Sequence, residues 1–522
     1  MMVLTRTEGA IFDCDAKGCY DRIAPKLSTI HYQRLGMPSS WSQFFSLYWK
    51  QCVHYVRTRY GISKESYRAD AMHPLLGIGQ GNGAGPATWL SHSIVMFQVL
   101  SDLNDGVIFV SPNGEVTFQS PGTGFVDDVT LGVTANLDYD GVEREEDLIK
   151  NINLIATYWE QMLNTNGGRL ELKKCFWILI TWKWKQGKPM MTSLDDTEAE
   201  VKIVQSESKE EVVIQRKNVD EAPKVLGCLI QANGSWEAEE RRWQASALNF
   251  SMKVKKGKFD RICGSKIHPS YWVSKFRYVG ALVGFNKQLC DDIEKPVVVS
   301  CMSATGFNMR FPRAVVFGTE TYGGMGWQSM NAVQIFEKIK SFVRNIRSGT
   351  RLGSLLEIAT ATAQLHAGIS DSILNTDVMW QKWSPKTWIT HLSINLQSIE
   401  ATMDTNIRVN GPIRKYDRNL MNVFLRWKLT TTEMDYLNTC RLYLQVITVA
   451  DVSTMDGSKV MQEYFQCIRV RNSTLQWPVQ VEPPKKMKDM WKAAMNRLCS
   501  IGSTLVCMLG SWENHLIKSG LI

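Results

Sequence analysis

At 522 residues, of which 44% are hydrophobic and 21% charged, the chain is long enough for about three to four domain-sized units and too apolar for extended disorder. Its 60 Lys and Arg against 51 Asp and Glu leave a net charge of +9, which favours a polyanionic partner, nucleic acid or an anionic membrane surface. The 12 cysteines stand singly, without Cys-x-x-Cys or Cys/His zinc spacing, and there is neither a secretory leader nor an apolar run of about 18 residues, so a disulfide-stapled domain, a zinc module and a membrane-spanning helix are all excluded and an intracellular protein is expected.

In chain order, Gly9 to Asp15 reads as a short buried strand ending in acid. Ser39 to Arg59 is rich in aromatics and reads as helical, and Gly77 to Gly85 is a glycine-rich loop. Pro86 to Leu103 is an apolar helix opening at proline, a favoured first-turn residue. Two β-branched runs flank Asp127-Asp128 between Gly124 and Val133, which predicts a hairpin. Leu148 to Leu163 has helical spacing, and Leu170 to Trp184 returns to strand composition. Ser193 to Pro223 alternates acid and base between β-branched pairs and reads as a solvated hairpin insertion. Beyond Trp236 the chain turns helical and basic (Lys253 to Lys258, Lys340 to Arg351, Lys415 to Arg418, Lys485 to Lys488), with Pro483-Pro484 marking a break before the last helix.

Adjacent aspartates on an apolar hairpin repel each other unless a cation or a proton intervenes. Asp127-Asp128 alone reads as an ordinary Asp-rich turn. The alternative is nucleotidyl transfer, which uses two divalent ions about 3.5–4 Å apart, held by two or three carboxylates that the fold gathers. The neighbouring segments bear on that choice: Phe12-Asp13-Cys14-Asp15 with Tyr20-Asp21 downstream, Gly79-Gln80-Gly81 with Gly85-Pro86, Phe125-Val126-Asp127-Asp128, Gly168-Arg169-Leu170 with Lys173-Lys174, and Leu226-Gly227.

This series resembles, in order and spacing, the palm motifs of reverse transcriptases, especially those of non-LTR (LINE-like) retroelements. The match covers about Gly9 to Gly234, with Gly85 in place of the usual serine and Phe125 in place of the commoner tyrosine. From Phe311-Pro312-Arg313 to Arg441-Leu442-Tyr443-Leu444 the likeness is looser. The resemblance implies an α/β (α+β) polymerase palm with a ferredoxin-like antiparallel sheet over residues 1–235, a helical thumb over 236–370 and a helical C-terminal extension over 371–522. It implies an RNA-directed DNA polymerase using an RNA template, a DNA primer, deoxynucleoside triphosphates and two Mg2+ ions, for which Mn2+ can substitute. Reverse transcriptases place a fingers subdomain ahead of the first aspartate motif. Asp15 lies fourteen residues from Met1, so the resemblance further implies an N-terminally truncated palm and impaired polymerisation.

By the same resemblance, Asp15 and Asp127 hold the metals with Asp128 assisting. Asp13 shares a strand face with Asp15 and is the rival for its place. Ala16, Tyr20, Gln80 and Gly81 are the nucleotide-binding candidates. Tyr20 would bar a ribose 2′-hydroxyl, and glycine at 81 would let backbone approach the nascent pair. Lys174, or Lys173 beside it, is the candidate proton donor to pyrophosphate. Leu226 and Gly227 form the turn expected to support the primer. Two rivals remain. Gly79-x-Gly81-x-x-Ala84 fits a dinucleotide-binding fingerprint in form, and Trp380-Gln-Lys-Trp383 with Arg408 to Arg426 suits a nucleic-acid-binding protein without catalysis.

Overall fold

The computed structural model describes residues 1–68, 77–78, 82–136, 141–405, 407, 409, 414–471 and 473–512. It is a mixed α/β structure around a mixed six-stranded sheet. The sheet strands are β1 (Gly9–Asp15), β2 (Gly122–Phe125), β3 (Asp128–Thr134), β4 (Phe176–Ile180), β5 (Val201–Val204) and β6 (Glu211–Arg216), in the order β5-β6-β4-β1-β3-β2. All pairs are antiparallel except β6 with β4. Between β1 and β2 the chain forms helix α1 (Gly85–Leu103), and between β3 and β4 helix α2 (Gly141–Thr165).

Strand alternation decides which residues are buried. On β1, Ala10, Phe12 and Cys14 are buried beneath the helices, whereas Ile11, Asp13 and Asp15 lie on the opposite face. On α2, Leu148, Ile152, Ile155, Trp159 and Leu163 recur at helical spacing and close over Phe12, Leu131 and Trp177. Each such large side chain contributes about 1.5–3 kcal/mol by leaving water. Strand β4 is buried along its whole length, as expected of a strand covered on both sides.

Two expectations need correcting. The charged stretch from Ser193 is no solvated insertion: its strands β5 and β6 extend the sheet, and Val201, Ile203 and Ile214 enter the core under α2. On these strands Lys202 and Glu211 occupy outward positions, while Arg216 lies half-buried over the Trp177 ring. Ser39 to Arg59 is helical only to Gln51; Val53–Thr58 and Gly61–Arg68 then form a two-stranded ribbon.

Beyond the sheet the described chain is mainly helical. Helix Glu237–Lys256 begins with Glu237, Glu239 and Glu240 and ends with Lys253, Lys255 and Lys256, each charge complementing the nearer end of the helix dipole. Its Trp243 packs with Trp272 and Phe276 in a core reaching from Cys228 to Val333. A third core runs from Phe342 to Leu509 and also takes in Leu4. Helix Met330–Arg347 supplies residues to both. In the third core the fully buried Arg441 donates to the carbonyls of Leu365 (2.6 Å) and His366 (3.0 Å) and to Asn438 Oδ1 (2.9 Å). Trp380 and Trp383 are buried there too, their indole N–H groups bonded to Ile373 O (2.9 Å) and Ala367 O (3.2 Å). This removes them from any base-stacking role. Among the described residues no helix is long and apolar enough to cross a membrane.

Candidate active site

Antiparallel pairing of β1 with β3 sets Asp15, the last residue of one strand, opposite Asp128, the first of the other. Asp127 occupies the two-residue loop with Val126, between the paired Phe125 and Asp128. Val126 has φ +58°, a left-handed conformation that costs a β-branched residue about 1–3 kcal/mol. Its carbonyl accepts the Trp89 indole N–H, and the Asp127 carbonyl accepts the Ala16 N–H at 3.1 Å. Both loop carbonyls are thus tied to the body of the fold, which holds the strained turn in place.

A second loop meets the end of β1. Lys17 N–H donates to Arg169 O (2.8 Å) and Glu171 N–H to Asp15 O (2.9 Å). The turn from Glu171 to Lys174 then carries the Lys174 ammonium to 2.6 Å from Asp15 Oδ2, with side-chain exposures of 65% and 18%. Lys173 is exposed and points to no described acid at salt-bridge distance. Asp15, Ala16, Tyr20, Asp127, Glu171 and Lys174 line a cleft of about 350 Å³. Larger cavities of about 730 and 950 Å³ contain none of these six.

The electrostatics follow from this crowding. Partial burial, then the charges of Asp127 and Asp15, raise the Asp128 carboxyl above its usual range, and Lys174 opposes the shift. The hydrogen bond to Asp15 and its charge raise the Lys174 ammonium, keeping it protonated. Asp13 faces a different environment. It accepts the Thr130 hydroxyl at 2.7 Å, and burial is the main cause that pushes it up to about 6.

Three aspartates offering hard anionic oxygens fit magnesium in kind, and the cluster already accommodates one cationic group, Lys174. They are not gathered around a single point: among the described residues no three His, Cys, Asp or Glu side chains lie close enough together to hold a metal ion. Lys174 takes up one Asp15 oxygen.

Tyr20 sits on the short helix Cys19–Arg22, and its ring lies against Gly85, where a Cβ would come within 3.2 Å of the ring. The glycine that replaces serine at 85 therefore suits this tyrosine. Gly77 is more constrained still. Its φ is +86°, and a Cβ there would lie 2.3 Å from the Asp21 carbonyl carbon. Gln80 and Gly81 lie outside the described residues. Leu226 and Gly227, with φ +46° and +86°, form the turn between Lys224–Val225 and Cys228–Leu229. Tyr278 Oη donates to Leu226 O (2.8 Å) and Arg242 to Gly227 O (2.6 Å). Sequence reasoning missed Trp89, Arg242 and Tyr278, because each reaches these loops through a contact distant in the chain. The dinucleotide reading loses its premise: the last described strand before the glycine loop, Gly61–Arg68, pairs antiparallel with Val53–Thr58 in a two-stranded ribbon, so among the described residues no parallel βαβ unit leads into that loop.

No family model and no curated protein matches the chain. Among solved structures, the telomerase from Candida tropicalis, in complex with the TWJ fragment of telomeric RNA, is similar at 11% identity and a TM-score of 0.22, over 68% of this chain and 49% of that one. The telomerase from Candida albicans, in complex with the same kind of fragment, gives 11% identity and a TM-score of 0.20 over 65% of this chain. The chain spans 49% of the length of each.

Proposed function

We propose that this chain is the RNA-directed DNA polymerase of a non-LTR retroelement, adding deoxynucleotides to a primer 3′ end on an RNA template. The observation that carries the reading is the register that sets Asp15 opposite Asp128, with Asp127 on the strained loop beside them. The order β4-β1-β3-β2, joined as βαββαβ, supports a ferredoxin-like palm over residues 1–235, with 236–370 as thumb and 371–522 as C-terminal extension. Asp15, Asp127 and Asp128 would hold two Mg2+ ions. When bound, these ions supply activation of the attacking hydroxyl and neutralisation of the leaving pyrophosphate.

The chain's own residues do the rest. Tyr20, braced on Gly85, forms the wall that excludes a 2′-hydroxyl. Lys174 Nζ, kept protonated by Asp15, is placed to give its proton to a leaving phosphate oxygen once that contact opens. The Leu226-Gly227 turn, its carbonyls engaged by Tyr278 and Arg242, supports the primer.

The test is primer extension on an RNA template with purified protein. Asp15→Asn and Asp127→Asn should each lower magnesium-dependent extension by at least about 10²–10³-fold, with thermal melting and template binding unchanged. Extension by Asp127→Asn at the wild-type rate would refute the site. A second reading, a nucleic-acid-binding protein without catalysis, draws on the net charge of +9. Template binding without extension by the wild type would decide for it.

A further inference from the structure

Between the helix Ser39–Gln51 and Gly77 the chain leaves the core as the ribbon Val53–Thr58 and Gly61–Arg68. It is exposed on both faces, and only His54, Cys52 and Ser63 in this stretch are even half-covered. A two-stranded ribbon without a third layer is marginally stable in water, yet this one presents Val53, Tyr55, Val56, Tyr60, Ile62 and Tyr67 to solvent. Sixteen residues hold three of the chain's 15 tyrosines, and four basic side chains, Arg57, Arg59, Lys64 and Arg68, against the single acid Glu65. None of the four is ion-paired to a described residue, whereas acidic neighbours elsewhere take up many of the chain's cations.

The rings are already arranged as platforms. His54 and Tyr67, directly paired across the strands, stack at 5.1 Å and 19°. At the tip Tyr60 is 85% exposed and carries the Arg59 guanidinium 4.9 Å over its ring. The described chain on either side of this stretch is anchored in the body of the fold. Trp49, just before it, is in the core beneath the sheet, and Gly77 and Ile78 donate to the carbonyls of Ile23 and Tyr20 at 2.9 Å.

From this juxtaposition of open rings and cations without a described acidic partner we infer that the ribbon is a binding site for single-stranded nucleic acid. The cations would meet successive phosphates, and Tyr60, Tyr55 and Tyr67 would take bases by stacking, which every base permits. A protein partner fits less well, because the ribbon's excess of one charge sign calls for a polyanion. The inference rests on the proposed polymerase only in the choice of substrate: a template strand is what such a ribbon would guide.

The experiment measures fluorescence anisotropy of labelled oligo(U) and of a blunt RNA–DNA hybrid with the full chain over a salt series. R57Q/R59Q/K64Q/R68Q should weaken oligo(U) binding at least tenfold and reduce the slope of log affinity against log salt by about 3, since each single-strand phosphate contact contributes about 0.7. Y60A should weaken binding about fivefold or more with the slope unchanged. Circular dichroism melting confirms that both variants fold. Wild-type affinity in both variants overturns the inference, and so does an equal loss on the blunt hybrid, which would place duplex on the ribbon. Primer extension by the same samples keeps the two readings apart. Extension with ribbon-independent binding sinks the ribbon alone, and ribbon-dependent binding without extension sinks the polymerase alone.

Discussion

Asp15 and Asp127-Asp128 are visible as acids at strand ends. Their opposition is a matter of register, which links residues more than a hundred positions apart. The same holds for the lysines: sequence put Lys174 only narrowly ahead of Lys173, and the turn from Glu171 brings Lys174 to Asp15. Tyr20 carries the prediction that belongs here. Its ring is braced by a residue with no side chain, Gly85, so Tyr20→Val should open the wall without disturbing the helix. The ratio of specificity constants for deoxy- over ribonucleotides should fall about 10- to 100-fold, more than deoxynucleotide use slows. An unchanged ratio removes Tyr20 from sugar selection.

At the scale of elements, alternation was readable, but which face a strand presents to the core was not always so. The run Val201, Lys202, Ile203 looks amphipathic in either a free hairpin or a sheet edge. Docking of β6 beside β4, under α2, decides it. Ile203→Ala should therefore cost about 2–4 kcal/mol in urea unfolding, while Lys202→Ala stays within about 0.5 kcal/mol. Equal small effects would return the segment to solvent.

Helix Met330–Arg347 hides a different feature, the fully buried Lys338. Among the described residues its ammonium has only the Leu282 carbonyl at 3.5 Å and the Trp388 ring at 4.9 Å, and burial pushes it down to about 7. Nearby His391 is itself pushed down to about 4, chiefly by burial, so it stays neutral above that. The unfolded lysine keeps its proton to about pH 10.4. Between pH 7 and 10 the unfolded state thus binds more protons than the folded one, and stability rises with pH. Lys338→Met should add about 2–4 kcal/mol at pH 6 and abolish that rise. Urea unfolding at pH 6, 8 and 10 checks it; parallel curves for the two proteins would mean the lysine finds water or a counter-ion.

For the molecule as a whole, the hydrophobic cores do not follow chain order. Leu4, a few residues ahead of β1, is buried in the C-terminal core, its carbonyl 2.7 Å from His366 Nε2, and Arg6 donates to Val479 O at 2.8 Å. Leu4→Ala should lower stability by about 2–4 kcal/mol. It should also reduce amide hydrogen-exchange protection along Arg351–Ala367, the helix that carries His366 far away in sequence. Protection lost only in the first eight residues would show that this segment merely lies on the surface.

By itself the sequence determined the helices and strands with clear period, the acids at the ends of β1 and β3, and the absence of a long apolar helix, because these depend on short-range pattern and composition. It did not determine that Trp380 and Trp383 are core residues, that the charged stretch after Ser193 completes the sheet, or that the aromatic stretch after Ser39 ends in an exposed basic ribbon. A tryptophan or an alternating strand carries the same local signal whether it faces solvent, a partner or its own core. Only the packing of distant segments, which fixes where each face can lose its water, separates those outcomes.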